Sequence, residues 1–282
     1  MNLRGLIAYI VRQQLRPITA LAHHLDTQSA ECLQALNEQG IASEITPFIH
    51  AINRLLNRIT DLLTQQRRFI ADAAHELRSP LTALSLQAQN LSAADSVASL
   101  QQRIIPLQKG IERTRQLNEQ LLTLARTQAT KNEQDEIDVA TLARELIAEY
   151  LPIAAAKNID LGLAEISVLT LHGTSESLRL ILKNGLENAL KYTPNNGVVT
   201  VQLRIENNDA VIEVIDNGVG IPLAQHERVF DAFYRLSDAL GIGSGLGLTI
   251  AKEAAQKLGG AISLHENQLT SGLVFRYRQA AL

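Results

Sequence analysis

Between Ile45 and Leu63 the apolar residues fall at Phe48, Ile49, Ile52, Leu55, Leu56, Ile59, Leu62 and Leu63, spaced three and four apart. That period is the turn of an α-helix, so the segment presents one apolar stripe. A second stripe runs through Phe69, Ile70, Ala73, Ala74, Leu77, Leu81 and Leu84. A third uses Leu100, Ile104, Leu107, Ile111, Leu117, Leu121, Leu124 and Ala125. Long helices with a single stripe cannot bury it alone. They imply a helical hairpin packed into a bundle, most simply a dimeric four-helix bundle built from two chains. An ordinary monomeric helical domain has the same periodicity and is the alternative.

The character changes beyond the polar stretch 129–137, which reads as a linker. Helical patterns at 139–157 and 175–191 alternate with β-rich runs. Val198–Ile205 and Ala210–Ile215, separated by Glu206-Asn-Asn-Asp209, read as a hairpin. A glycine cluster from Gly218 to Gly247 precedes a helix at 247–258, and strands near 261–265 and 272–278 close the chain. Strands interleaved with helices and joined by hairpins predict an α+β sandwich with a mixed sheet.

The chain has 282 residues, 46% of them apolar, enough for about two domains with real cores. A net charge of -3 offers no basic field for phosphates, so no nucleic-acid partner is expected. With one cysteine, Cys32, an intramolecular disulfide is impossible and a reducing compartment fits. No stretch approaches the ~20 apolar residues that span a bilayer. The nearest is Leu6–Val11, closed by Arg12 and Arg16. It is read either as the start of an amphipathic helix or as the remnant of a transmembrane helix, residues 1–11, with basic residues just inside the membrane.

Two regions carry chemistry. In Phe69-Ile-Ala-Asp-Ala-Ala-His75-Glu76-Leu-Arg-Ser79-Pro80-Leu81, His75 is turned about 100° per residue away from the apolar face, towards solvent. Glu76 beside it can take or hold a ring proton, leaving a neutral nucleophilic nitrogen. Pro80 removes a backbone hydrogen bond and predicts a bend one turn later. A lone helical histidine is ordinarily a surface residue; its company makes this one a candidate nucleophile.

The second region begins at Asn184, Asn188 and Lys191, at i, i+4 and i+7 on one helix face, with Tyr192 following. Two amide oxygens suit Mg²⁺ and an ammonium suits phosphate. Asp216, then Gly218 and Gly220, put a carboxylate at a strand end beside backbone that a ligand can approach, as recognition of an adenine amino group requires. Gly241, Gly243, Gly245 and Gly247 lead into a helix N-terminus, where free amides favour phosphate. Their spacing is neither the dinucleotide fingerprint nor a Walker motif.

Here the sequence resembles a family. His75–Leu81 is similar to the H-box of sensor histidine kinases. Asn184–Pro194, Asp216–Gly220, Arg228–Arg235 and Gly241–Gly247 resemble the N, G1, F and G2 boxes of their ATPase domain, a GHKL-type (Bergerat) sandwich. The match runs over roughly residues 65–280. It implies that His75 is the phosphoacceptor, that Glu76 is its acid–base partner, and that Ser79 stands where a hydroxyl or amide helps dephosphorylate a response regulator. It further implies that Asn184 and Asn188 hold Mg²⁺ and that Lys191, Tyr192, Asp216, Gly218 and Gly220 contact ATP. Gly243, Gly245, Leu246 and Gly247 would do so too, with residues 223–243 forming a lid and Arg235 steadying the transferred phosphoryl group. The implied partners are a second copy of the chain and a response regulator receiver domain. Residues 12–64, with Arg16-Pro17-Ile18, Leu21, Leu25 and Glu44–Pro47, resemble a HAMP linker that would relay signals from an upstream membrane region, which places the chain on the cytoplasmic side of the inner membrane. A simple coiled-coil stalk is the rival.

The expected division is therefore 1–11, 12–64, 65–128 for the phosphotransfer hairpin, 129–137 for the linker and 138–282 for the ATP-binding domain. Two other functions share these features: a hydrolytic GHKL ATPase and a non-catalytic signalling scaffold. Hydrolytic relatives on this fold carry glutamate where Asn184 stands, and an amide is a poor base.

Overall fold

The structure, a computed structural model, describes residues 35–36, 45–92, 96–129, 135–236, 244–268 and 271–281. The expected membrane-helix remnant, the first helix of the HAMP-like segment, Cys32, Gly241 and Gly243 lie outside the described residues. The chain divides into two compact units, Met1–Ala74 and His75–Leu282.

The first long helix, α1 (Thr46–Leu91), carries both of the first two stripes. The expected boundary at 64/65 falls inside this helix, which runs on without a break because the polar run Gln65-Gln66-Arg67-Arg68 consists of good helix formers and neither glycine nor proline intervenes before Pro80. Pro47 is tolerated in the first turn, where its missing N–H would have had no helical partner. In the first unit, Leu36, Ile49 and Leu56 form a small buried cluster flanked by Ile45 and Ile52. The Asn53 side-chain amide locks it by pairing with both backbone groups of Leu36, accepting from its N–H at 2.7 Å and donating to its carbonyl at 3.1 Å.

In the second unit, α1 continues through Pro80, and α2 (Val97–Ala129) follows. Gly110 of α2 sits against Leu84: a Cβ there would come within 2.8 Å of the leucine Cδ2. A bare backbone thus lets the helices approach. Arg103 donates to the carbonyl of Asn90 across the same hairpin. Leu117, Leu124 and Thr127 are buried on α2, whereas Leu100, Ile111 and Leu122 are exposed.

The remainder is a two-layer sandwich. In chain order it comprises β1 (Asp135–Asp138), α3 (Val139–Ala156), β2 (Asp160–Glu165), β3 (Thr170–Gly173), α4 (Ser175–Tyr192), β4 (Val198–Glu206), β5 (Asp209–Asp216), α5 (Gly247–Lys257), β6 (Ala261–Glu266) and β7 (Leu273–Ala280). The main sheet has the order β2-β4-β5-β7-β6, with β2 parallel to β4 and every other pairing antiparallel. β1 and β3 make a separate antiparallel pair. The α+β sandwich with a mixed sheet is as the sequence predicted.

One core joins the layers, with Leu146, Leu178, Ile181, Leu182 and Leu186 from the helices meeting Val201, Leu203, Ile212 and Phe275 from the sheet. Alternation along β4 and β7 places every second residue inward, as a sheet with one covered face requires. On the other face Glu213, only 4% exposed, accepts hydrogen bonds from Arg204 and Arg276 on the neighbouring strands.

Two local expectations are corrected. The β4–β5 connection is a two-residue turn, not four: Asn207 and Asn208 have φ of 54° and 69°. This is the doubly left-handed turn whose twist suits a hairpin. The linker 129–137 also gives up its last residues, since Asp135–Ile137 pair with β3 in a strand. Neither β2, with its Gly162, nor the four-residue β3 was legible.

Candidate nucleotide site and phosphoacceptor helix

Residue Asn184 lies in the middle of α4 and is 6% exposed. Its Nδ2 donates to the carbonyl of Leu180 at 2.8 Å, which turns Oδ1 the other way. That oxygen faces Gly247 at the start of α5, where a Cβ would stand 2.8 Å from it. Asn188 follows one turn on, half-buried, and Lys191 and Tyr192 end the helix. The Lys191 Nζ lies over the Tyr192 ring, 4.8 Å from its centroid. A residue that sequence reasoning missed secures this end: Lys157 Nζ donates to the carbonyls of Leu190, Lys191 and Thr193 at 2.7, 3.0 and 3.3 Å. A cation on the last carbonyls of a helix is favoured by the helix dipole.

Strand β5 delivers Asp216 at its last position. One carboxylate oxygen, Oδ1, accepts from the N–H groups of Gly218 at 2.8 Å and Leu273 at 3.2 Å. Its Oδ2 has no hydrogen bond among the described residues. The residue is 7% exposed. Burial lifts its carboxyl above the usual aspartate range, only partly countered by the two amides. Gly218 is squeezed between this carboxylate and α4: a Cβ would meet the Tyr192 carbonyl at 2.7 Å. Gly220 takes a φ of 66°, which glycine adopts without strain.

The segment Arg228–Arg235 is tied to the glycine-rich loop by backbone. Phe233 donates its N–H to the Gly245 carbonyl at 3.1 Å, and a Cβ on Gly245 would stand 2.6 Å from the Phe233 carbonyl carbon. Thr249 Oγ1 donates to the Phe230 carbonyl at 3.0 Å. The Arg228 guanidinium covers the Tyr234 ring, and the Tyr234 hydroxyl donates to Gln225 at 2.6 Å. Leu246 is fully buried and its N–H donates to Ser244 Oγ at 3.1 Å, so its amide is already engaged. Arg235 is exposed at the edge of the described residues. Of the expected lid, 223–243, residues 237–243 lie outside the described part.

The glycine-, amide- and carboxylate-bearing segments, dispersed between positions 184 and 247, thus converge through the pairs Asn184/Gly247, Tyr192/Gly218 and Phe233/Gly245. The donor set is made of oxygens: Asn184 Oδ1 and the Asn188 amide suit a hard cation such as Mg²⁺.

His75 is exposed on α1, as is Ser79 one turn further along the same face, whereas Glu76 is half-buried. No hydrogen bond joins His75 to Glu76. Adjacent residues on a helix diverge by about 100°, so the pair does not face itself.

A sandwich of this topology with amide, carboxylate and glycine loops at one end defines a nucleotide-binding module of the GHKL type. Residues 173–279 match the family of histidine kinase-, DNA gyrase B- and HSP90-like ATPases, and residues 65–130 match the His Kinase A phospho-acceptor domain. The sensor protein QseC of Salmonella typhi is 34% identical over 92% of this chain and 58% of its own length. Sensor protein BasS of Escherichia coli K12 is 30% identical over 93% of this chain and 71% of its own length. The chain belongs to the sensor histidine kinase family. It spans less than two thirds of the length of QseC. In fold it is similar to the histidine kinase ThkA, solved in complex with the response regulator protein TrrA, at a TM-score of 0.66, 19% identity, and coverage of 84% of this chain and 66% of that one.

Proposed function

We propose that this chain binds ATP with Mg²⁺ between α4 and the loops at 216–220 and 244–247 and phosphorylates its own His75. A ring nitrogen of His75 attacks the γ-phosphorus, the bond to the β–γ bridging oxygen breaks, and ADP leaves. The displaced imidazole proton goes to Glu76 after a rotamer change turns its carboxylate towards the ring. Asn184 and Asn188 hold the cation, Lys191 and Tyr192 meet the nucleotide, and Asp216 reads adenine through Oδ2. Gly243, Gly245 and Gly247 give the phosphates room, and Arg235 steadies the phosphoryl group in flight. Positioning and charge neutralisation carry such a transfer. The phosphoimidazole then donates to an aspartate of a response regulator receiver domain, and the Ser79 hydroxyl positions the water that later hydrolyses that aspartyl phosphate to aspartate and inorganic phosphate.

The observation that carries this reading is His75 itself, exposed on its helix while the buried pocket residue Asn184 is an amide. The same family description covers hydrolytic ATPases, but an amide cannot deprotonate a water, so the nucleophile comes from elsewhere. Incubation with γ-labelled ATP tests it: acid-labile, alkali-stable label should form and vanish in His75→Gln. Label surviving that change overturns the reading.

The exposed apolar residues of α2 support a homodimer joined through the helical hairpin. No helix among the described residues is long and apolar enough to cross a membrane. The sensor proteins it resembles support work at the cytoplasmic face of the inner membrane, with residues 12–64 as a HAMP-like relay.

A further inference from the structure

The connection between β6 and β7 lies against the loop that follows Asp216. Asn267 Nδ2 donates to the Asp216 backbone carbonyl at 2.9 Å. The Asn267 N–H in turn donates to the Gly272 carbonyl at 3.2 Å, closing the turn on itself. Gly272 has a φ of 144°, and a Cβ on it would stand 2.1 Å from the Asp216 carbonyl oxygen. Only glycine allows that approach. Next in sequence, Leu273 gives its N–H to Asp216 Oδ1 at 3.2 Å. The carbonyl of Gly272 also lies 3.2 Å from where a Cβ on Gly220 would be. Asp216 is therefore gripped at two points by groups distant in sequence: its backbone carbonyl by the Asn267 side chain, its carboxylate by the Leu273 backbone amide.

Backbone and carboxylate held together fix the rotamer. With Oδ1 occupied twice, Oδ2 is the oxygen left for a ligand. The sheet holds Asp216 on one side only, where β4 pairs it with Val199; on the other side the ladder with β7 stops at Ile215 paired to Val274. From this geometry we infer that Asn267 is a positioning residue for base recognition, setting the selectivity of the nucleotide site for a purine bearing an exocyclic amino group. This rests on the reading of Asp216 as the adenine-binding carboxylate. Asn267 acts through Asp216 and touches no nucleotide.

The test is a ratio of two affinities, measured by calorimetry on the full chain carrying His75→Gln so that no transfer consumes nucleotide. The probes are ATP and purine riboside triphosphate, which lacks the amino group and is otherwise the same. Losing one hydrogen bond to a buried carboxylate costs roughly tenfold, so this parent should prefer ATP by about that factor. Asn267→Asp keeps the shape but replaces the donor with an acceptor facing the carbonyl. Asn267→Ala removes the group. Each should cut the preference roughly threefold or more through weaker ATP binding, with the analogue's affinity held within about twofold.

Asp216→Asn is the control for the reading underneath. A preference that collapses in Asp216→Asn and stands in both Asn267 variants overturns the positioning role alone. A parent that binds both nucleotides equally, unchanged by Asp216→Asn, overturns the base reading and the positioning role together. An equal fall for both nucleotides in the Asn267 variants shows general loss of the pocket and also overturns it.

Discussion

The amide oxygen of Asn184 faces the α carbon of Gly247, so closely that a side chain's first carbon would stand 2.8 Å away. The contact joins the middle of α4 to the first residue of α5. Asn184 has little freedom to yield, because its Nδ2 is bonded to the Leu180 carbonyl. Gly247→Ala should therefore push the amide oxygen off its axis and weaken Mg²⁺–ATP binding about tenfold, about 1.4 kcal/mol. Alanine is the better helix former, though by less in a first turn than the about 1 kcal/mol of a helix interior, so it offsets part of the strain and the unfolding midpoint should fall only a little. Calorimetry with and without Mg²⁺ checks it; unchanged affinity in the presence of the metal refutes the assignment of Oδ1 as a cation ligand.

Asp216 should trade stability against binding. Burial raises its carboxyl pKa above the ordinary value of 3.8. The native state therefore binds that proton more tightly than the unfolded chain does. As pH falls through the raised value towards the ordinary one, the folded state gains stability from this group, while ATP affinity drops because the protonated acid no longer accepts from the base. Asp216→Asn removes the buried charge and still offers an oxygen to the two amides. It should stabilise the nucleotide-free chain by about 1 kcal/mol and cost at least tenfold in ATP affinity. Thermal melts and binding on the same sample decide it.

Glu213 should behave in the opposite sense. Burial alone would raise its carboxyl, but hydrogen bonds and charges from Arg204 and Arg276 outweigh that and hold it below 4.5. Its contribution is present above the unfolded value and lost as pH falls through the depressed one. Glu213→Gln should lower stability at neutral pH by about 2 kcal/mol, less than for a fully buried pair because both arginines keep partial exposure. It should also flatten the acid limb of stability against pH. Urea titrations at neutral and acid pH give both numbers, and nucleotide affinity should not move, since this charge cluster lies on the uncovered face of the sheet.

These cases show what a sequence reading reaches. Asn184, Asp216 and Gly247 were legible because their residue types are costly in place: an amide on a buried helix face, a carboxylate at a strand end and a glycine opening a helix all call for a partner. The α4 and α5 boundaries were legible for the same local reasons. Asn267, Lys157 and the backbone pair Phe233/Gly245 were not, because each acts across the fold on a group far away in sequence, and nothing local distinguishes Asn267 from any turn asparagine. β1 escaped because Asp135–Asp138 has one apolar residue, Ile137, and owes its extended form to β3. α1 runs unbroken across the expected boundary at 64/65 because Gln65-Gln66-Arg67-Arg68 keep their rotamer freedom in a helix, which propensity rewards whatever their polarity.

Leu100 and Ile111 of the third stripe, with Leu122, which lies outside it, are 37%, 53% and 49% exposed on α2. They are spaced eleven apart, close to three full helical turns, and so line one face. A chain that leaves such a row in water forgoes apolar burial worth about 1 kcal/mol per side chain, each being roughly half covered already. A second hairpin laid against it recovers that energy, which is the physical case for the dimer. Ile111→Glu with Leu122→Glu places a charge in each of two such contacts, and sedimentation should then show the dimer dissociating at micromolar concentration. Nucleotide binding should persist, because the pocket residues lie on α4, in the loops at 216–220 and 244–247, and at Asn267, Gly272 and Leu273. A double variant that remains dimeric would mean this face is covered by something other than a second hairpin.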